Sequence, residues 1–225
     1  MKSMFEFIKN LFPKPHNDLL ARDQTYCVLD TETTGFDVNQ GDRIVSIGAV
    51  TINNLEINYK TKYDQIIDPE RDIPIKSSEV HGIYPRDIKG KPKIREVEHE
   101  FASFIGNNII VGHNIDFDIG FIKNIIPYSE LRLKFKNNIV LDTLNLAISL
   151  LPELRSHGLT DLCHHFKILV SDRHTAYGDS LMTAKLFIKL ITIAEQKGFR
   201  TIYDLNKLMK KSYSIKRHLT QQSHY

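Results

Sequence analysis

Asp30-Thr31-Glu32-Thr33-Thr34-Gly35 directly follows Tyr26-Cys27-Val28-Leu29, a short apolar run that reads as a buried strand. In a strand, side chains at i and i+2 point to the same face, so Asp30 and Glu32 project together, about 7 Å apart along the chain. Two carboxylates held that close repel each other unless a cation lies between them. Gly35 then lets the chain turn away. A pair of acids closing a buried strand is a candidate site for a hard divalent ion such as Mg²⁺. On this segment alone, a solvated strand end with a threonine-rich turn is the plain alternative.

The chain has 225 residues, which suits one large domain with short appendages. Hydrophobic residues make up 41%, enough for a substantial core. No apolar run approaches the roughly 20 residues that span a bilayer, so no membrane segment is expected. Residues 1–11 lack the continuous apolar stretch of a signal peptide and read as a short amphipathic helix ended by Pro13 and Pro15. The two cysteines, Cys27 and Cys163, read as buried apolar residues rather than a disulfide pair. A cytoplasmic protein is the expectation.

Net charge is +3, unevenly spread. Residues 200–225 hold six basic residues against Asp204 alone, a net +5, which leaves −2 for the rest. An acidic body beside a basic tail fits a metal-dependent enzyme acting on a polyanion, and equally a solvated terminus.

Three strands are expected first, over 25–30, 43–52 and 56–67, with a hairpin at Asn53-Asn54. Strands over 108–112 and 139–141 then alternate with helices over 76–82, 94–105, 116–125, 143–151, 159–166, 175–197 and 203–211. That order is an α/β domain with a mixed five-stranded sheet flanked by helices. Residues 1–22 read as an N-terminal appendage, 23–199 as the domain, and 200–225 as a basic C-terminal helix and tail.

Two further clusters contain acids. Gly112-His113-Asn114-Ile115-Asp116-Phe117-Asp118 lies where a strand ends and a helix begins, a place where α/β proteins keep their sites. Either acid there suits helix capping as well. In His174-Thr175-Ala176-Tyr177-Gly178-Asp179 the histidine and the acid are five apart, about 140° around a helix. They converge only if His174 sits in the lead-in loop. Otherwise they are an exposed histidine and a helix N-terminal acid. His164 and His165 beside Cys163 lack the four-ligand spacing of a zinc site.

Taken in order, DTETTG, GHNIDFDIGF and HTAYGD resemble the three motifs of the DEDDh exonucleases. Those include the epsilon proofreading subunit of bacterial DNA polymerase III, RNase T and oligoribonuclease. Val80-His81-Gly82-Ile83, Leu141-Asp142-Thr143-Leu144 and Leu159-Thr160-Asp161-Leu162-Cys163 are similar to lesser family segments. The resemblance covers about residues 25–197 and implies an RNase H-like exonuclease fold.

It also implies a catalytic set of Asp30, Glu32, Asp118, His174 and Asp179. The family's second acid lies four residues after the asparagine, which selects Asp118 and leaves Asp116 to cap the helix. The four carboxylates would hold two Mg²⁺ or Mn²⁺ ions about 4 Å apart. Asp30 would bridge both, Glu32 and Asp179 would serve the ion carrying the attacking water, and Asp118 the ion at the leaving group. His174 would take the proton from that water.

Thr33, Thr34, Gly35, His81, Asn114 and Phe117 are the implied contacts to the 3′-terminal nucleotide. In the epsilon subunit a glutamate five residues before this histidine is another contact, and this chain has Lys76 there. Phe36 and Phe117 either stack on bases or belong to the core. The implied activity is metal-dependent 3′-to-5′ release of nucleoside 5′-monophosphates from single-stranded DNA ends. RNA ends are an alternative, as is a non-catalytic nucleic-acid-binding module on the same fold. A polymerase partner would dock through the termini.

Overall fold

The structure is a computed structural model describing residues 19–126 and 129–222, with side chains described through Ser212. The helix expected over residues 1–11 lies outside the described residues. Five strands form one sheet: β1 (Thr25–Thr33), β2 (Ile44–Asn53), β3 (Glu56–Ile66), β4 (Ile109–Gly112) and β5 (Val140–Asp142), in the order β3-β2-β1-β4-β5. β1 pairs antiparallel with β2, and β2 with β3. β4 joins β1 in parallel and β5 joins β4 in parallel. The antiparallel strands are joined by hairpins and the parallel ones by helical crossovers. The β2–β3 hairpin turns on Asn54 and Leu55, both at positive φ (50° and 60°), as a two-residue primed turn requires.

Nine helices follow among the described residues: α1 (Ile75–His81), α2 (Pro85–Ile88), α3 (Ile94–Ile105), α4 (Asp116–Ile125), α5 (Glu130–Asn137), α6 (Thr143–Leu150), α7 (Leu159–His165), α8 (Ala176–Gln196) and α9 (Ile202–Gln222). Alternate β1 residues feed two cores, which explains the unbroken apolar run. Cys27 and Leu29 pack with Phe101, Phe121, Ile122 and Leu131 under α3, α4 and α5. Tyr26 and Val28 pack with Leu146, Leu162, Phe187, Leu190 and Leu205 under α6 to α9. The Tyr26 and Phe187 rings meet edge to face at 4.8 Å. Cys27 and Cys163 are both free and buried, as expected.

Some elements differ from the sequence expectation. β1 runs three residues past 30, to Thr33, because β2 continues to pair with it through Asp30↔Gly48, Thr31↔Ile47 and Glu32↔Ser46. β-branched threonines suit that extended backbone. The register shifts between Glu32 and Thr33, where the strand begins to turn away. Helix α5 was not expected. It is capped by Ser129, whose Oγ accepts the Arg132 N–H at 3.0 Å, and it buries Leu131 and Phe135. α9 extends to Gln222, and its first turns bury Ile202, Leu205 and Leu208 in the core beside α6. The basic segment therefore begins as a core helix. No helix among the described residues is long and apolar enough to cross a membrane.

Candidate active site

Gly48 is the position that lets the site form. It pairs with Asp30 across the β1–β2 ladder. A Cβ there would lie 2.1 Å from the backbone nitrogen of Tyr177, so the first turn of α8 rests directly on β2. That contact brings Asp179 to Asp30 and Glu32. The three carboxylates each offer an oxygen within 4.8 Å of the others.

His174 lies outside α8, in the residue before the N-cap. Thr175 caps the helix, its Oγ1 accepting the Gly178 N–H at 3.0 Å. Asp172 and His174 both have positive φ, 51° and 63°, so the loop folds back over the helix start. Gly178 makes room for it, since a Cβ there would lie 2.2 Å from the Asp172 carbonyl oxygen. The His174 backbone N–H points to Asp179 Oδ1 at 3.4 Å. The 140° separation expected on a helix therefore does not apply, because only Asp179 is helical.

Asp118 reaches the site from the other face of the sheet. It is buried in the first turn of α4 and accepts a 2.6 Å hydrogen bond from Thr31 Oγ1. It lies outside the tight group of three, yet its charge bears on Asp30 more than that of Asp179 or Glu32. The cap expected at Asp116 is corrected: Ile115 is the N-cap of α4, no side chain caps it, and Asp116 is exposed at the next position. The chain enters α4 through Asn114, at φ 60°, whose N–H donates to Asp142 Oδ1 at 3.0 Å. That bond sets the turn, so the helix needs no acid at its N-cap.

Burial pushes all four acids up. Asp30 stands well above the usual carboxylate range, through burial and then the charges of Asp118, Asp179 and Glu32. Glu32 is raised to about 7 by burial and then by Asp179. Asp118 is raised to about 7 by burial, against the Thr31 hydrogen bond. Asp179 is raised to about 6 by burial, against the Arg173 charge. Burial, and then the Arg173 charge, lowers His174.

An acid raised on folding binds more protons folded than unfolded between the two pKa values, so its contribution to stability falls as pH rises. The lowered His81 and His174 act in the opposite sense, but only below the ordinary histidine value of about 6.5. In EDTA, the melting temperature is therefore expected to fall as pH climbs from about 6.5 to 8, and Mg²⁺ is expected to reverse much of that fall at pH 8. A melting temperature that is flat or rising over that window contradicts the raised acids.

The site opens into a cleft lined by Glu32, Thr33, Gly35, Phe36, Lys76, Ser77, Val80 and His81. Ser77 Oγ donates to the Thr34 carbonyl at 2.7 Å, which ties α1 to the end of β1. His81 is buried, and its Nδ1 accepts the Ile83 N–H at 3.1 Å. In the neutral ring the proton is thereby assigned to Nε2, which is buried without a protein partner. Phe36 is 91% exposed and lies outside the core, with its ring 6.4 Å from that of Phe117. Phe117 is half-buried and packs against the core as well. Asn114 is exposed at the mouth of α4.

Four residues around the site were given no role from sequence, although Asp142 lies in one of the lesser family segments. Thr31 holds Asp118, and Asp142 holds the Asn114 turn. Asp42 accepts from Thr34 Oγ1 at 2.9 Å and lies where a Cβ on Gly35 would collide with it. Arg173 donates to Asp179. A threonine between two acids, and a lone arginine in a loop, carry no periodic signal.

Carboxylate oxygens are hard donors, and a divalent cation among them would offset both the burial that raises all four acids and the mutual repulsion that adds to it at Asp30 and Glu32. The donor set of Asp30, Glu32 and Asp179 fits such an ion. Residues 27–187 match the RNase T family model, described as an exonuclease. The chain belongs to that family. It carries a DEDD-type exonuclease domain on the RNase H-like fold. It is 34% identical over 196 residues to the DNA polymerase III subunit epsilon of Rickettsia prowazekii, covering 84% of each chain. The Rickettsia typhi epsilon subunit is 34% identical over 186 residues, 80% of each. The PolC-type DNA polymerase III of Bacillus subtilis is 33% identical over 198 residues, 88% of this chain but 14% of that protein. The chain thus spans a small part of the PolC-type polymerases it matches. Among solved structures, exonuclease X in complex with 5′ overhanging duplex DNA superposes with a TM-score of 0.63 at 23% identity, over 82% of this chain and 99% of that one. E. coli exonuclease I in complex with a dT13 oligonucleotide gives 0.66 at 20% identity, over 77% and 42%.

Proposed function

We propose that this chain removes nucleoside 5′-monophosphates one at a time from the 3′ end of single-stranded DNA, using Mg²⁺ or Mn²⁺. The observation that carries this reading is the convergence of Asp30, Glu32 and Asp179 on one point, with Asp118 closing it from the opposite face. The epsilon-subunit relatives favour DNA over RNA and a proofreading or repair role.

Asp30, Glu32, Asp118 and Asp179 would hold two divalent ions. Bound there, such ions supply charge stabilisation to the attacking and leaving oxygens and acidify the attacking water. His174 accepts the proton of that water. The water oxygen bonds to phosphorus, the bond to the 3′ oxygen of the preceding nucleotide breaks, and that oxygen leaves on the shortened strand and takes a proton from solvent, to which His174 returns its own. The turn at Thr33, Thr34 and Gly35 seats the terminal nucleotide, and the free Nε2–H of His81 donates to it. Phe36 and Phe117 offer a stacking surface that tolerates any base. A polymerase partner would dock through residues 1–22 or the outer part of 200–225, and co-elution with its polymerase checks that.

The test is parallel digestion of 3′-labelled single-stranded DNA and RNA of one sequence. Label released as the monophosphate, with DNA cut faster, is expected. Faster cutting of RNA would move the enzyme to the exoribonuclease reading. Loss of internal fragments before the 3′ label would contradict an exonuclease.

A further inference from the structure

We propose that Arg173 is an additional catalytic residue of this site. Its guanidinium holds Asp179 until metal takes that carboxylate, and then transfers to the phosphate being cut. This rests on the nuclease reading above and extends it to a residue outside the acid–histidine set.

Arg173 is tied at two ends. Its Nε donates to Thr160 Oγ1 on α7 at 2.9 Å, and its Nη1 donates to Asp179 Oδ2. The pair is well sheltered, with side chains 29% and 6% exposed. Among the described residues, Asp30, Glu32 and Asp118 form no ion pair of their own, so Arg173 is the cation in direct contact with the acids. With Oδ2 given to Arg173 and Oδ1 facing the His174 N–H, both oxygens of Asp179 are engaged. A divalent ion taken up by Asp179 beside Asp30 and Glu32 would lie against the guanidinium, and the two positive charges repel at that range, which favours moving Arg173 off Oδ2.

The displaced group has a destination. Guanidinium stays charged at any working pH, and its planar fork matches two oxygens of a phosphate. A small turn of the side chain off Asp179 leaves it beside the acids. The phosphodiester must lie there to be cut.

His174 gives a second reason for the movement. Arg173 Nη1 lies 3.3 Å from His174 Nδ1. Arginine only donates, so Nδ1 accepts and the ring proton sits on Nε2. In that arrangement neither ring nitrogen is free to take a proton from water. Moving Arg173 onto the phosphate releases Nδ1. The ring proton can then reside on Nδ1 and leave Nε2 open as the base. One side-chain movement thus opens the metal ligand, arms the base and neutralises the phosphate. The starting position is set by the bonds to Thr160 and Asp179, on a loop where Asp172 and His174 are both at positive φ.

The experiment uses Arg173→Gln and Arg173→Lys in the full chain, with fold checked by thermal melting in EDTA. Mn²⁺ affinity is measured by EPR titration without nucleic acid, and the single-turnover rate at saturating Mn²⁺ on a 3′-labelled oligonucleotide. For Arg173→Gln, Mn²⁺ binding about tenfold tighter is expected. The rate is expected to fall about 100-fold and to recover in part when guanidinium ion is added. Arg173→Lys keeps the charge and is expected to bind Mn²⁺ like the wild type yet cut slowly. Unchanged or weaker Mn²⁺ binding in Arg173→Gln overturns the proposal, as does a wild-type rate in either variant. A wild-type chain that binds no Mn²⁺ removes the metal-nuclease reading as well. A wild-type chain that binds and cuts beside unaltered variants removes this proposal alone.

Discussion

Asp30→Asn is expected to slow nucleotide release by about 10³-fold or more while raising the melting temperature in EDTA. Asp30 is the acid on which the other three charges act, and burial first and those charges second hold its pKa well above the usual range. A site that forces carboxylates together lowers stability in exchange for metal affinity. Asparagine has nearly the same shape, so it relieves the repulsion without opening a cavity. The same change removes a carboxylate from the point where Glu32 and Asp179 converge. Thermal melting at pH 8 and a single-turnover assay check the two halves together. Retained activity would remove Asp30 from the reaction, and a lower melting temperature would show that the acids do not repel.

Gly48→Ala is expected to destabilise the protein by about 2–3 kcal/mol and to abolish nucleotide release. In a strand interior glycine is ordinarily the weaker choice, and alanine would stabilise by roughly 0.5–1 kcal/mol. Here the added Cβ would meet the Tyr177 nitrogen at 2.1 Å and the Ala176 carbonyl carbon at 2.2 Å. Both are backbone atoms and cannot rotate aside. Either β2 bends or the first turn of α8 lifts, and lifting carries Asp179 away from Asp30. Melting temperature is expected to drop roughly 5–10 °C for a chain of this size. An unchanged melting temperature would mean that α8 does not rest on β2. A large drop with full activity would mean that the position of Asp179 is not tied to this contact.

The sheet was legible in the sequence because its strands have strong local signals. Tyr26 to Leu29 is apolar throughout since both faces of β1 are covered, and the Asn54 turn marks the hairpin. The end of β1 was less legible. Polar Thr31, Glu32 and Thr33 resemble a loop, and only pairing with β2 makes them strand. Helix α5 was missed because its start depends on the single hydroxyl of Ser129. At the site, spacing alone left Asp116 and Asp118 as rivals. The geometry gives each a different environment, one exposed and one buried against Thr31. The place of His174 beside Asp179 was not readable from helical spacing, because it depends on two residues at positive φ and a glycine that clears the loop. Thr31, Asp42 and Arg173 act through partners distant in sequence or through a single loop side chain, and local pattern does not encode such contacts.

The central claim is that these carboxylates cut the 3′-terminal phosphodiester through bound divalent metal. The most direct measurement is mass-spectrometric identification of the product from single-stranded DNA, with Mg²⁺ and with EDTA in matched reactions. Nucleoside 5′-monophosphate with Mg²⁺ and none with EDTA is the predicted result. Equal product in both, or a 3′-monophosphate product, would contradict it.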